Sequence, residues 1–241
     1  MKLFYSPFHN FIHKILVTAH EAGLWQDIRF VPTFPFKNRE GEDQGDAYSI
    51  AAINPLDKVP TLALDDGQIV YGSQAVVECL DSMSKSGKQL YPISGKKRWD
   101  AITRLALADT MFENTVALAM EGWNPVEEQR IDFFKWIWPK LIRGFDFLEI
   151  ACKKGFDDFD IGQAAMLHAV SYTDFKVNFY DAKDPLYPEF DCFENRPNLK
   201  AWWDDTIQRP SVTSHYNVEF DGEDSAAFCQ QQVQLVLEAQ R

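Results

Sequence analysis

The chain has 241 residues, 46% hydrophobic and 25% charged, enough to bury the core of one large domain or two small ones and too apolar for disorder. A formal net charge of −12 argues against nucleic acid and anionic membrane as partners, because both need basic patches. Four cysteines without C-x-x-C spacing or a Cys/His cluster give no metal signature; with no signal-peptide pattern, no sequon and no apolar run of about 18 residues, the expected location is a reducing cytoplasm, away from membrane.

Residues 2–5 read as a short strand. Ile12, Ile15, Leu16 and Ala19 follow at the spacing of one helix face, and Gly23 marks the stop. Residues 28–31 form a second strand ending at Pro32, and residues 36–49 carry a polar insert. Residues 61–64 and 69–71 are strands around Asp66-Gly67, a short hairpin signal. Ser73 precedes an amphipathic helix with Val76, Val77 and Leu80 on one face. A helix between the first two strands makes them parallel, while the hairpin pair is antiparallel, which predicts a small mixed sheet covered by helices.

Residues 84–97, rich in Ser, Gly and Lys, read as a linker. Beyond them the strand signal disappears, and helical patterns cover 99–120, 126–153, 161–175, 197–209 and 226–239. The expected organisation is an α/β unit at 1–83, a linker at 84–97 and an all-helical unit at 98–241 ending in an extra helix.

Phosphate-loop, dinucleotide, zinc-protease and nucleophile-elbow signatures are missing from the sequence. Three stretches remain. In "SPFHNFIHKIL", Ser6 suits an N-cap and Pro7 a first helical position, so the hydroxyl and free N–H groups there favour an anion such as a thiolate. In "NPLDKVPTL", a Val59-Pro60 step enters a strand; a cis bond there exposes the Val59 backbone to an extended peptide lying antiparallel. In "YGSQAVVECL", Ser73 at a helix start offers a second anion site, for which a carboxylate is a natural guest. Taken singly, these stretches also fit ordinary capping and an edge-strand proline.

Together, and in this order, they resemble the glutathione transferase superfamily over nearly the whole chain. The string "N-P-L-x-K-V-P-x-L" at 54–62 is the most specific mark, and "FDIGQAAMLHAV", with Asp160 as cap and Gln163 three residues on, matches the family's capped core helix. "RPNLKAWWDDTIQRPSV" is similar to the family's late helix.

The resemblance implies a thioredoxin-like N-terminal domain, an all-α C-terminal domain, and a cytosolic homodimer that takes glutathione as cosubstrate and a small apolar electrophile as acceptor. It implies a serine-type member, with Ser6 beside the glutathione sulfur and His9 and Asn10 as the neighbours able to assist or replace it. Val59, with Pro60 cis, is expected to pair with the cysteinyl backbone and Ser73 to hold the γ-glutamyl carboxylate. Lys58 or Lys37 is expected to reach the glycine carboxylate. The family usually has an acid directly before that serine; here Gly72 stands in its place and leaves the glutamyl ammonium to Gln74 or to a second subunit. No metal is implied. Phe8, Met111, Phe112 and Trp123 are candidates for an apolar wall facing the acceptor, and His13 reads as structural. The competing readings are a non-catalytic binding or regulatory member, and a glutathione-dependent isomerase or ether-cleaving enzyme.

Overall fold

The computed structural model describes residues 1–7, 11–33, 50–122, 124–175, 190–216 and 225–240. The chain divides into two compact units, one of Met1–Tyr91 with Pro210–Arg241, the other of Pro92–Arg209.

The first unit is built on a four-stranded sheet: β1 (Lys2–Tyr5), β2 (Arg29–Pro32), β3 (Thr61–Ala63) and β4 (Ile69–Tyr71), in the order β2-β1-β3-β4. β1 runs parallel to β2 and antiparallel to β3, and β3 is antiparallel to β4. This is the mixed sheet that the sequence predicts. The hairpin closes at Asp66-Gly67, where Gly67 adopts φ 91° and the Leu64 N–H reaches the Gln68 carbonyl at 2.9 Å.

Helix α1 (Phe11–Glu21) buries Ile12, Ile15, Leu16 and Ala19, the predicted face, and stops before Gly23, whose φ is 69°. Helix α2 (Ser73–Ser82) buries Val76, Val77 and Leu80, and packs beside α1.

Residues 84–91 belong to this unit, where the sequence reads as a linker. Ser86 Oγ donates to the Glu21 carbonyl at 2.5 Å, and the buried Asp81 carboxylate accepts the N–H groups of Leu90 (2.5 Å) and Tyr91 (3.2 Å). The backbone carbonyl at the end of α1 and a carboxylate at the end of α2 hold these residues down, and local composition cannot register that.

The chain also ends in the first unit, where the sequence reading grouped residues 210–241 with the helices. The short α7 (Pro210–Thr213) packs on α1, and α8 (Ser225–Glu238) lies against the edge strand β2. Gln240 Nε2 donates to the carbonyls of Ile28 (2.6 Å) and Trp25 (3.2 Å), so the tail covers backbone at the open sheet edge.

The second unit is helical: α3 (Gly95–Gly122), α4 (Ile131–Lys154), α5 (Ile161–Phe175) and α6 (Pro197–Thr206). Asp160 caps α5 by accepting the Gln163 N–H at 3.1 Å, as expected. The return half of the capping box differs, because Gln163 Nε2 donates to the Asp158 carbonyl at 2.7 Å. Arg104 pairs with the Asp160 carboxylate and sits over the Phe156 ring, tying α3 to the start of α5. Among the described residues, no helix is long and apolar enough to cross a membrane.

Candidate functional site

The observed pairings align β1, β3 and β4 residue by residue: Phe4 opposes Thr61, which opposes Tyr71. The pairing ends there: Ser6 lies two residues past Phe4, Val59 two residues before Thr61 and Ser73 two residues past Tyr71, all beyond the same end of the sheet. The three stretches that stand far apart in sequence therefore lie beyond the same end of one sheet.

Ser6 follows β1 directly and is 2% exposed. The Thr33 N–H donates to the Tyr5 carbonyl at 2.7 Å, which holds the exit of β1 beside that of β2. The sequence reading starts a helix at Pro7. Pro7 instead lies in a turn, and the described helix begins at Phe11. His9, Asn10, Phe8, Lys37 and Trp123 lie outside the described residues.

The stretch before β3 is a closed turn. Asn54 is buried; its Nδ2 donates to the Lys58 carbonyl at 2.7 Å and to Thr61 Oγ1 at 3.0 Å, while its Oδ1 accepts the Leu56 N–H at 3.0 Å. Asp57 adopts φ 48° and accepts the Ile50 N–H at 2.7 Å, local bonding that helps an aspartate tolerate the left-handed region. The Val59–Pro60 bond is cis, as expected from the sequence. Lys58 is exposed, Val59 half-buried and Pro60 buried. Asn54 and Thr61 escaped the sequence reading, although an Asn-Pro step is itself a turn signal that marks a side chain bonding its own backbone.

At the third stretch the helix begins one residue earlier than expected. Ser73 is the first residue of α2, and Gly72, with φ 86° and ψ 127°, occupies the cap position without a side-chain hydrogen bond. Glycine is favoured because a Cβ is poorly tolerated at that φ. Gly72 thus brings no capping side chain to the first turn of α2. Gln74 follows in that turn and is exposed.

Two of the described thiols are shifted away from ionisation. Burial and the Asp66 carboxylate push the Cys79 thiol up, and burial pushes Cys152 up to about 12. Burial also raises the Tyr5 phenol above its ordinary range. Among the described residues, no cluster of His, Cys, Asp and Glu is arranged to hold a metal.

Met111 and Phe112 are not a wall. Both are buried in the helical unit, Met111 against Gly144 on α4 and Phe112 with its ring against His168 and Tyr172 of α5. Their helical spacing reflects core packing.

Comparison with known proteins agrees with the fold. Residues 8–83 match the family model of the glutathione S-transferase N-terminal domain. A glutathione transferase family member from Pseudomonas fluorescens Pf-5, solved with bound glutathione, superposes with a TM-score of 0.74 at 27% identity, over 88% of this chain and 96% of that one. A glutathione S-transferase from Methylobacillus flagellatus, solved with glutathione bound, gives 0.72 at 25% identity over 88% and 96%. The uncharacterized GST-like protein YibF of Escherichia coli is 25% identical over 179 residues, 73% of this chain and 83% of its own.

Proposed function

We propose a function from one premise: this chain belongs to the glutathione transferase superfamily. It binds glutathione at the sheet edge of its first unit and activates the thiol for attack on a small apolar electrophile. The observation that carries this reading is that Ser6, Val59 and Ser73 all lie just beyond the same end of the sheet, where β1 leaves, β3 enters and β4 leaves. Val59 offers backbone to the cysteinyl residue, Ser73 and the uncapped start of α2 receive the γ-glutamyl carboxylate, and Lys58 reaches toward the glycine carboxylate. Ser6 lies at the sulfur.

In this mechanism the thiol proton leaves to solvent and the Ser6 hydroxyl donates a hydrogen bond to the thiolate. A free thiol has a pKa near ~8.5. One hydrogen bond to a charged group contributes about 1.5–3 kcal/mol, and each pKa unit requires about 1.4 kcal/mol, so Ser6 alone lowers the thiol by roughly one to two units. That suffices for a substantial thiolate fraction near neutrality. The sulfur then attacks the electrophile held beside it, where proximity supplies much of the remaining rate. The family's habit supports a cytosolic homodimer with a detoxifying role.

A second reading, a binding or regulatory member, is favoured by one observation: Ser6 is 2% exposed, a poor setting for a group that must meet a sulfur. Calorimetric titration with glutathione, followed by the pH dependence of conjugation to a chromogenic electrophile, separates the two. Binding, with a profile that moves to higher pH in Ser6→Ala, supports the transferase. An unmoved profile removes Ser6 from the mechanism. Binding without turnover of any electrophile favours the regulatory member, and no heat at millimolar glutathione sinks the tripeptide site.

A further inference from the structure

We propose that Asn54 and Thr61 are positioning residues that lock the Lys58–Val59 peptide plane and so present the Val59 N–H to the ligand; the ligand's identity rests on the function proposed above. The fixed point is the Lys58 carbonyl. It accepts two hydrogen bonds, from Asn54 Nδ2 at 2.7 Å and from Thr61 Oγ1 at 2.9 Å. Both donors are buried, Asn54 at 1% and Thr61 at 0% exposure, so the carbonyl is turned toward the protein.

The donors are themselves fixed. Asn54 spends its two N–H bonds on the Lys58 carbonyl and Thr61 Oγ1, and its Oδ1 on the Leu56 N–H. Flipping the amide would set oxygen against oxygen and N–H against N–H, so the network allows one orientation. Thr61 accepts from Asn54 and therefore directs its own proton to the Lys58 carbonyl. The hydroxyl and the amide act as one unit.

A trans peptide points its N–H opposite to its C=O. The Lys58–Val59 bond is trans, the cis bond lying one residue further on. With the carbonyl held inward, the Val59 N–H faces away from the Asn54–Thr61 pair. Among the described residues no group accepts it. A backbone donor fixed in direction and without an acceptor among the described residues is what an extended peptide needs in order to add itself to a strand. Fixing that direction before binding spares the ligand the cost of ordering it.

The test pairs Thr61→Val, which keeps the shape and loses the hydroxyl, with Thr61→Ser, which restores it. Two quantities are read by isotope-labelled NMR and calorimetry: the exchange rate of the Val59 amide and the affinity for glutathione. Loss of one such bond is worth about 0.5–1.5 kcal/mol, roughly two- to tenfold in affinity. The wild-type Val59 amide is expected to exchange rapidly alone and to slow on adding glutathione. Thr61→Val should bind glutathione several-fold more weakly with kcat at saturation retained, and Thr61→Ser should return to within about twofold of the wild type. A Val59 amide already protected in the free protein overturns the proposal, as does a Thr61→Val variant of unchanged affinity. If the wild type takes up no glutathione, the functional reading falls while the plane lock is still decided: a changed Val59 exchange rate in the free Thr61→Val variant, reversed in Thr61→Ser, upholds it, and equal rates overturn it.

Discussion

His13 Nδ1 and His215 Nε2 lie 2.9 Å apart, both buried, in a hydrogen bond that joins α1 to the turn after α7. The pair sits edge-on to Tyr216, with ring centroids of His13 and Tyr216 4.8 Å apart. One proton can lie between two imidazole nitrogens at that distance, so one ring must remain an acceptor. Burial lowers His215 to about 3, against an ordinary value near 6.5. Below pH 6.5 the unfolded chain therefore binds a proton that the folded chain refuses, and stability falls as pH drops toward 3. The loss is about 1.4 kcal/mol per pH unit, or roughly 2 kcal/mol at pH 5. Urea unfolding at pH 7 and pH 5 should show His215→Gln losing less stability than the wild type by about that amount. Parallel losses would remove His215 as the cause.

Glu21 gives a second anchor for the returning chain. Its buried carboxylate accepts Ser211 Oγ at 2.7 Å and Lys88 Nζ at 3.1 Å. The two partners are not equal. Ser211 is buried, while the Lys88 side chain is largely exposed. Ser211→Ala removes a hydrogen bond to a charged, desolvated group and should cost about 1.5–3 kcal/mol. Lys88→Met removes a screened surface pair and should cost under about 1 kcal/mol. Denaturant midpoints of the two variants at pH 7 provide the comparison, and a larger loss in Lys88→Met would contradict it.

These anchors mark where the sequence stops being legible. The sheet was readable because its strands carry local signals: the Asp66-Gly67 turn closes one hairpin, and Ile12, Ile15, Leu16 and Ala19 mark a single helix face between two strands. That Ser6, Val59 and Ser73 lie beyond the same end of the sheet is readable for a related reason, since each stands within two residues of a strand end. Helix starts were less so. Pro7 carries the chemistry of a first helical position, yet it sits in a turn, and Gly72 rather than Ser73 holds the cap because the backbone there needs positive φ. The return of residues 210–241 to the first unit depends on His13–His215, Glu21–Ser211 and Gln240–Ile28, pairs separated by about two hundred positions, which no local pattern records. Met111 and Phe112 failed as pocket candidates because an apolar helical stripe looks the same whether it faces a core or a ligand.

Two helical glycines in the second unit predict opposite tolerance. A Cβ at Gly162 would meet the Ala101 carbonyl oxygen at 2.6 Å and Arg104 Cβ at 2.8 Å, where α5 crosses α3. Backbone cannot move aside, so Gly162→Ala should cost about 1–3 kcal/mol despite the better helix propensity of alanine. At Gly144 the obstacle is Met111 Sδ, at 2.6 Å, the middle of a flexible thioether side chain. Rotamer adjustment there and a helix gain of about 1 kcal/mol should nearly cancel. Thermal midpoints are expected to drop clearly in Gly162→Ala and to change little in Gly144→Ala; equal drops would mean that Met111 is as rigid as backbone.

Gly72 separates fold stability from ligand affinity. At φ 86° a side chain is strained by about 1–3 kcal/mol, although a Cβ there would meet nothing within 4 Å. Under the proposed binding mode, an acid at this position would project into open space beside Ser73 and reach the glutamyl ammonium. The strain exists with and without ligand and cancels from the binding equilibrium. The new ion pair exists only in the complex and, being solvent-exposed, is worth about 0.2–1 kcal/mol. Gly72→Glu should therefore melt lower than the wild type and yet bind glutathione up to about fivefold more tightly. Gly72→Gln carries the same strain without the charge and should melt equally low with no gain in affinity. Calorimetry on the three proteins at low ionic strength reads both effects, and equal affinities for Gly72→Glu and Gly72→Gln would place the ammonium elsewhere.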